Sequence, residues 1–485
     1  MNREQYHQLA TTQLSDEKFY ERLERDPSNC YQQRGNKMIG EMKKRGIIDE
    51  EQARQLTFYK GTSPKYYGLP KIHKAELNLR PIISSIDCPN TGITKFLTGI
   101  LTNSYNQENQ YYIKDSFEFA NFMNDLKLPS GYVLVSWDAI SLYTNTTLDT
   151  AKWCINNKWE DIEPNSPINQ DEFLRLLEFL FDTISFSFEG SYYKQKEGTP
   201  MGLQISGIIA EYVIDEVLNY TKQKLTCQLP FIKKYRDDTI TAMPEEFIQQ
   251  SLQILNSYDN SKTLQFTIEV ENNKSLPFLD MTVIREETEE GSTLITDWHK
   301  KKISSNRYIH HKSYHPFNMK VNIIRNLKTR ITKICHPRFI NKNLKILSGI
   351  LRENGYPYGL LNKIIHGTPN TLESPRQIES LQATNEEQTR RYITLPYIEE
   401  LSPPLKKLIP KEKFQVATRN VKPLRSIFTN LKDPTPTLQQ NGVVYKISCK
   451  DCEGVYVGQT STTLKQRLSG HKSDINNSRR KEVVH

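Results

Sequence analysis

Apolar residues along this chain switch between a spacing of two and a spacing of three to four, and the switches mark out its elements. Tyr132-Val133-Leu134-Val135-Ser136-Trp137-Asp138 is an apolar, β-branched run that predicts a strand ending in a carboxylate. Asn169, with Glu172 three residues on, reads as a capping box, and Phe173, Leu176, Leu177, Leu180 and Phe181 follow on one helical face. Alternation over 185–188 and 192–195 around Glu189-Gly190 predicts a hairpin. The Gly-rich segment 197–202 leads into an apolar helix over 205–225. Tyr235-Arg236-Asp237-Asp238, followed by Thr239-Ile240-Thr241-Ala242, predicts a hairpin tip. A helix over 245–258 follows, with Phe247, Ile248, Leu252 and Leu255 inward, then strands over 264–270 and 278–284. Strand, helix, hairpin, helix, strand is the split βαβ pattern, which can set Asp138 beside Asp237 and Asp238 on central strands.

The flanks are patterned differently. Residues 1–60 read as polar and helical, with Phe19, Tyr20 and Leu23 on one apolar face. Two extended segments, 66–74 and 79–84, carry basic residues close to apolar anchors and are suited to holding phosphates. Nine prolines between Thr368 and Gln440 predict a loosely packed connector, after which a small module begins near Asn441. No internal repeat is visible.

A chain of 485 residues with 36% hydrophobic residues can build cores for about two to four domains. The N-terminus is too polar for a signal peptide, and no apolar run approaches the roughly 18 residues of a spanning helix, so no membrane partner is expected. Seven scattered cysteines do not make a disulfide framework and favour a reducing compartment. The net charge of +9 is unevenly placed: Trp298 to Arg352 holds 14 Lys or Arg and no Asp or Glu, which leaves the remainder net acidic. With Tyr308, Tyr314, Phe317 and Phe339 interleaved, this stretch suits a sugar-phosphate backbone, a solvated basic face being the plainer alternative.

An isolated Asp-Asp pair reads as a turn bonding its own backbone. Asp138 changes that, because three acids on neighbouring strands suit two Mg²⁺ ions about 4 Å apart, the arrangement in-line nucleotide addition asks for. Tyr143 stands five residues after Asp138, where an aromatic ring could press on a sugar 2′ position, although a bare Tyr is more often a core residue. Arg80, with Lys71 or Lys74, could clamp a triphosphate.

The runs Tyr67 to Lys74, Arg80-Pro81-Ile82, Ser136-Trp137-Asp138 through Asn145, Gly198-Thr199-Pro200-Met201-Gly202, Tyr235 to Asp238 and Leu276-Pro277-Phe278-Leu279-Asp280, in that order, resemble the reverse transcriptases of Penelope-like retroelements. The resemblance implies an α+β right-hand polymerase that uses dNTPs to copy template RNA into DNA from a primer or target DNA in the nucleus. It implies fingers over 61–131, a ferredoxin-like palm over 132–298 and a basic helical thumb over 299–367, between the N-terminal region and the connector. Asp138, Asp237 and Asp238 match the magnesium-binding aspartates, Tyr143 the sugar gate and Arg80 the fingers arginine. Met201, Gly202 and Ser206 match the segment under template and nucleotide. In the thumb, Lys300, Lys301, Lys302, Arg307, Lys312, Lys320, Arg325, Lys328 and Arg330 are the candidate nucleic-acid contacts. Two departures stand out: Arg236 replaces a small apolar residue, and Leu203-Gln204-Ile205-Ser206-Gly207 replaces a Ser-Pro-Leu-Ser-Pro-like run. They keep a second reading open, a catalytically silent nucleic-acid-binding relic. No oligomeric state is assigned.

From 441 to 485, Asn441 to Tyr445, Val455 to Thr460, Arg467 and His471 resemble the opening half of a GIY-YIG endonuclease. That resemblance implies that Tyr445, Tyr456, Arg467 and His471 surround a scissile phosphate while a later glutamate holds a metal. The sequence reaches His485 before that glutamate's place, so this segment alone is expected not to cut. Cys449 and Cys452 have the spacing of half a zinc site, redox or structural roles being the alternatives, and the resemblance suggests His485 as a third Zn²⁺ ligand.

Overall fold

The computed structural model describes residues 1–59, 61–71, 77–106, 109–259, 262–367, 391–410, 413–421, 427–428, 432–450 and 452–476. Its centre is a four-stranded antiparallel sheet in the order Phe266–Val270, Tyr132–Ala139, Asp238–Pro244, Ile232–Tyr235. The run 132–139 is apolar rather than alternating because both faces of this sheet are covered, as strands buried on two sides require. Val135, Trp137 and Ala139 point into a core shared with the helices Leu148–Asn157, Gln170–Asp182, Gln204–Lys224 and Ile248–Asn256. Leu134, Ile240 and Ala242 face the other way, into a second core with Ile324, Ile331 and Ile334. The central strands are therefore fixed from both sides, and a one-residue slip would push each apolar set into the opposite core, whose shape fits other side chains.

The hairpin Ser185–Phe188 and Ser191–Gln195 forms as its alternation predicts, with Glu189 and Gly190 both at positive φ in the two-residue turn. It leaves the central sheet, however, and joins a five-stranded sheet with Tyr20–Leu23, Lys65–Pro70 and Leu79–Ser84. This corrects two expectations. Residues 1–60 are not wholly helical, because Tyr20–Leu23 is a strand whose Tyr20 packs on Phe186, an aromatic pair a helix would not have placed. Residues 132–298 do not make one sheet either, since Ser275–Phe278, Met281–Thr288 and Gly291–Trp298 form another four-stranded sheet with Lys127–Leu128.

Residues after Trp298 lead into three helices, Phe317–Ile334, Pro337–Glu353 and Tyr358–Ile365. The proline-rich connector is more ordered than its composition predicts: Arg391–Pro396 pairs in parallel with Phe414–Arg419 across the helix Ser402–Leu408. Beyond it, Val443–Ser448 and Val455–Thr460 form an antiparallel pair followed by the helix Leu464–Asn476. All seven cysteines are free thiols. Among the described residues, no helix is long and apolar enough to cross a membrane.

Candidate active site

Asp138 lies directly across from Asp238 in the pairing of the two central strands. Directly opposed residues of an antiparallel pair have Cα atoms about 4.5–5.5 Å apart, inside the reach of two bridged cations. Asp237 sits next door in the turn Arg236-Asp237, which closes the strand pair at Tyr235 and Asp238. The turn needs a positive φ, and Arg236 supplies it at 60°, a conformation that disfavours any residue with a Cβ. All three aspartates are solvent-exposed at one end of the sheet, whereas Trp137 and Ala139 on either side of Asp138 are buried.

The electrostatics bind these acids into one site. The Asp238 carboxyl is pushed up to about 6, first by partial desolvation, then by repulsion from Asp237 and Asp138, with Lys301 pulling it back. Among the described residues, no three Asp, Glu, His or Cys side chains are gathered tightly enough to hold a metal ion as they stand. The donor set nonetheless fits Mg²⁺: it consists of hard oxygens only, and their mutual repulsion is what a cation between them relieves.

Tyr143 stands on the short helix Leu142–Asn145, half-buried. Its hydroxyl is raised first by burial and then by Asp237, with Arg236 and Arg80 opposing, which places Tyr143, the Arg236-Asp237 turn and Arg80 in one electrostatic neighbourhood. A cavity of about 360 Å³ is lined by Tyr143, Tyr235, Arg236, Asp237, Gln204 and Glu211. Arg80 is exposed on Leu79–Ser84, and Lys71 follows the partner strand, its amide donating to the Asn78 carbonyl at 2.8 Å. Lys74 lies outside the described residues.

The Gly198–Gly202 loop works through its backbone. The Thr199 amide donates to the Tyr143 carbonyl at 2.7 Å, and the Ile83 amide donates to the Met201 carbonyl at 2.8 Å. One loop thus ties the helix Leu142–Asn145 to the strand Leu79–Ser84. Gly198 and Gly202 have φ of 71° and 117°, and a Cβ on either would collide with the carbonyl oxygen of Thr144 or Ile83. Ser206, assigned by resemblance to the nucleotide site, is 1% exposed and packs inside the fold, so in this structure it cannot touch a ligand directly.

The basic stretch divides in two. Arg330 pairs with Asp280, whose carboxyl burial would raise but which the Arg330 hydrogen bond holds low. Lys328 donates to the Ile364 carbonyl at 3.0 Å, Lys320 is buried, and Lys300 bonds Asn306 and lies over the Trp298 ring. These four are engaged within the protein, contrary to the simple picture of a free basic face. Lys302, Arg307 and Lys312 precede the helices, and Lys301 acts on Asp238.

Glu211 and Asp215 were not legible as site residues. They are acids one turn apart on a helix that also carries Glu216, Lys222 and Lys224, so nothing in the sequence marks them as enclosing a cation. The cation between them is Lys234, 0% exposed, with Nζ 2.8 Å from Glu211 and 2.6 Å from Asp215.

In the C-terminal module, the Tyr445 hydroxyl is 2.6 Å from His471 Nε2 and accepts from Arg467 Nε at 3.1 Å. Tyr456 packs edge-on against His471 at 5.3 Å, so all four candidate residues share one cluster. Cys449 and Cys452 are exposed in the turn between the strands, with the Cys449 amide donating to the Gly454 carbonyl. His485 lies outside the described residues.

Two family descriptions match parts of the chain. Residues 307–366 match the animal helix-turn-helix domain, in register with the three helices after Trp298, and residues 441–484 match the GIY-YIG catalytic domain. No match was found among curated proteins. Among solved structures, apo telomerase from Candida tropicalis is 9% identical over 76% of this chain and 63% of its own, with a TM-score of 0.43. Telomerase from Candida albicans with a TWJ fragment of telomeric RNA is 12% identical over 62% and 65%, TM-score 0.37. The BmCPV RNA-dependent RNA polymerase at elongation state is 14% identical over 64% and 28%, TM-score 0.40. The chain spans less than two thirds of the length of these structures. What the comparisons establish within the chain is a GIY-YIG domain at its C-terminal end, behind a mixed α+β body.

Proposed function

We propose that the chain is an RNA-directed DNA polymerase of a Penelope-like retroelement, copying element RNA into DNA at a nicked chromosomal target in the nucleus. The observation that carries this reading is the pairing of Asp138 with Asp238 at the end of the central strands, with Asp237 beside them in the turn. Two Mg²⁺ ions held by these residues would supply charge neutralisation and an activated primer 3′ hydroxyl. The protein's own part is positional. Hydrogen-bonded strands hold the oxygen donors, Tyr143 walls the sugar side, and Arg80 offers a fork of donors to the triphosphate. The exposed cations around 301–312 hold the template-primer backbone, the Tyr445 cluster is the phosphate end of a nuclease site, and Cys449 and Cys452 would supply two ligands of a Zn²⁺ site that needs further donors.

The direct test is incorporation of dTTP on poly(rA)/oligo(dT) by the full chain. Mg²⁺-dependent extension is expected. The strained Arg236 beside Asp237 favours the rival reading of a silent relic, for which salt-sensitive RNA binding would persist with no extension at any Mg²⁺ concentration.

A pH dependence follows from Asp238. Magnesium binds the carboxylate, so below about pH 6 the concentration needed for half-saturation should rise about tenfold per pH unit, levelling off above it. Thermal stabilisation by Mg²⁺ titrated between about pH 5 and 8 reads this without catalysis. A flat midpoint across that range would place the ion elsewhere.

A further inference from the structure

Arg236 holds its turn in a backbone conformation that Gly, Asn or Asp would adopt more easily, at φ 60°. An outlier of this kind beside a candidate site raises the question of what its side chain does there. The guanidinium is exposed, forms no ion pair with a described residue, and lines the cavity of about 360 Å³ that Tyr143 and Asp237 also line. Its charge is felt inside that cavity. Burial raises the hydroxyls of Tyr143 and Tyr112, both in the lining, and Arg236 opposes the rise at each. At Asp238, which desolvation and the neighbouring acids raise, the cation that pulls back is Lys301.

A second cation shares the cavity. Lys114 is exposed in the same lining, and its ammonium likewise has no ion pair with a described residue. Two carboxylates stand in the lining, but Glu211 is bound by Lys234 at 2.8 Å and Asp237 belongs to the aspartate triad. Two cations left without partners on one concave surface draw an anion. The surroundings narrow its class. Tyr112, Tyr143 and Tyr235 stand among the cations, the mixture that suits a nucleic-acid strand, whereas a small free anion needs no aromatic wall. Gly207 is exposed in the lining, and a Cβ there would meet nothing within 4 Å, so a strand can approach the helix backbone closely.

We infer that Arg236 and Lys114 grip a backbone phosphate of the nucleic-acid strand that passes the Arg236-Asp237 turn. The inference rests on the polymerase reading, in which this contact seats the strand beside the three aspartates. Arg236 offers a fork of donors and Lys114 a point charge.

The test is binding of a primed RNA–DNA hybrid to the full chain in EDTA, which keeps divalent ions away from the aspartates. Arg236→Gly removes the charge and suits the positive φ, so this variant should melt no lower than the parent. Its affinity should fall on the order of fivefold at about 0.1 M salt, uniformly across sequences, and the slope of log Kd against log salt should drop by about one. Lys114→Gln should do the same. A single uncharged methylphosphonate is then placed at each phosphate next to the primer 3′ end, first on one strand and then on the other. One position should weaken the parent and leave Arg236→Gly unaffected, and that position names the gripped strand. An unchanged slope in Arg236→Gly, or a methylphosphonate penalty equal in parent and variant at every position, overturns the contact. A parent that shows the coupling yet never extends a primer with Mg²⁺ keeps the contact and overturns the polymerase reading instead.

Discussion

Asp238→Asn, and equally Asp138→Asn or Asp237→Asn, is expected to lower Mg²⁺-dependent primer extension by about 10³-fold or more while RNA binding stays within about twofold. Asn keeps the shape of the side chain and removes the charge that recruits a divalent ion. A second effect runs the opposite way. The folded-state value of about 6 at Asp238 exceeds the ordinary 3.8, so the folded chain holds this proton more tightly than the unfolded one. Stability from this group is present below the ordinary value and is lost as pH rises through about 6. At pH 8 without metal the parent carries the full repulsion and Asp238→Asn does not. The variant should melt roughly 1–3 °C higher, a figure kept small because the site is exposed to solvent. Loss of catalysis coupled to gain of stability separates a functional carboxylate cluster from a turn that merely bonds its own backbone, since an Asp supporting a turn loses stability when replaced. Undiminished extension by Asp238→Asn would falsify the two-metal reading.

How much of this was legible follows from what each signal depends on. The Asp138–Asp238 pairing was readable because it rests on strand pattern and turn chemistry, both local, and on a split βαβ order that leaves few topologies. The destination of the 185–195 hairpin was not, because alternation fixes that a hairpin forms and says nothing about which sheet receives it. Tyr20 to Leu23 was misread for the same reason: four residues are too few for a period, and their strand exists only because Ser191–Gln195 offers an edge. The glycines at 198 and 202 were recognised as a motif, yet their physical cause, carbonyls of Thr144 and Ile83 packed where a Cβ would be, is a tertiary fact. Charge counting over 298–352 found the basic run correctly, but it could not separate Arg330, held by Asp280, from cations left facing solvent. That 299–367 is helical came only from the resemblance; the periodicity of the basic run did not mark out its three helices, although Pro337 and Pro357 stand at two of their starts.

Lys234→Met is expected to destabilise the fold by about 3–5 kcal/mol, the range for breaking a buried ion pair by removing one partner. Lys234 lies on Ile232–Tyr235, immediately before the Arg236-Asp237 turn, and is fully enclosed. Its Nζ reaches the carboxylates of Glu211 and Asp215 and also donates to the Glu211 carbonyl at 3.1 Å. Asp215 in turn accepts from the Tyr105 hydroxyl at 2.8 Å and from Asn109 at 3.0 Å, so the network joins the sheet edge, the helix Gln204–Lys224 and the segment before residue 111. The Asp215 carboxyl nonetheless sits above its usual range, because burial outweighs the pull of Lys234. The network therefore gains little in net charge energy, and its importance is asymmetric: intact it is tolerated, and without the cation two enclosed acids face each other. Urea unfolding at pH 7 should show the loss, and Lys234→Met combined with Glu211→Gln and Asp215→Asn should recover most of it, since no charge is then left uncompensated. Extension by the single variant should fall with temperature as the Arg236-Asp237 turn loses its anchor and persist in the cold, where the fold is retained. A single variant within about 1 kcal/mol of the parent would mean that water reaches Lys234, and the enclosed network would then not be what holds Tyr235 to Asp238 in place.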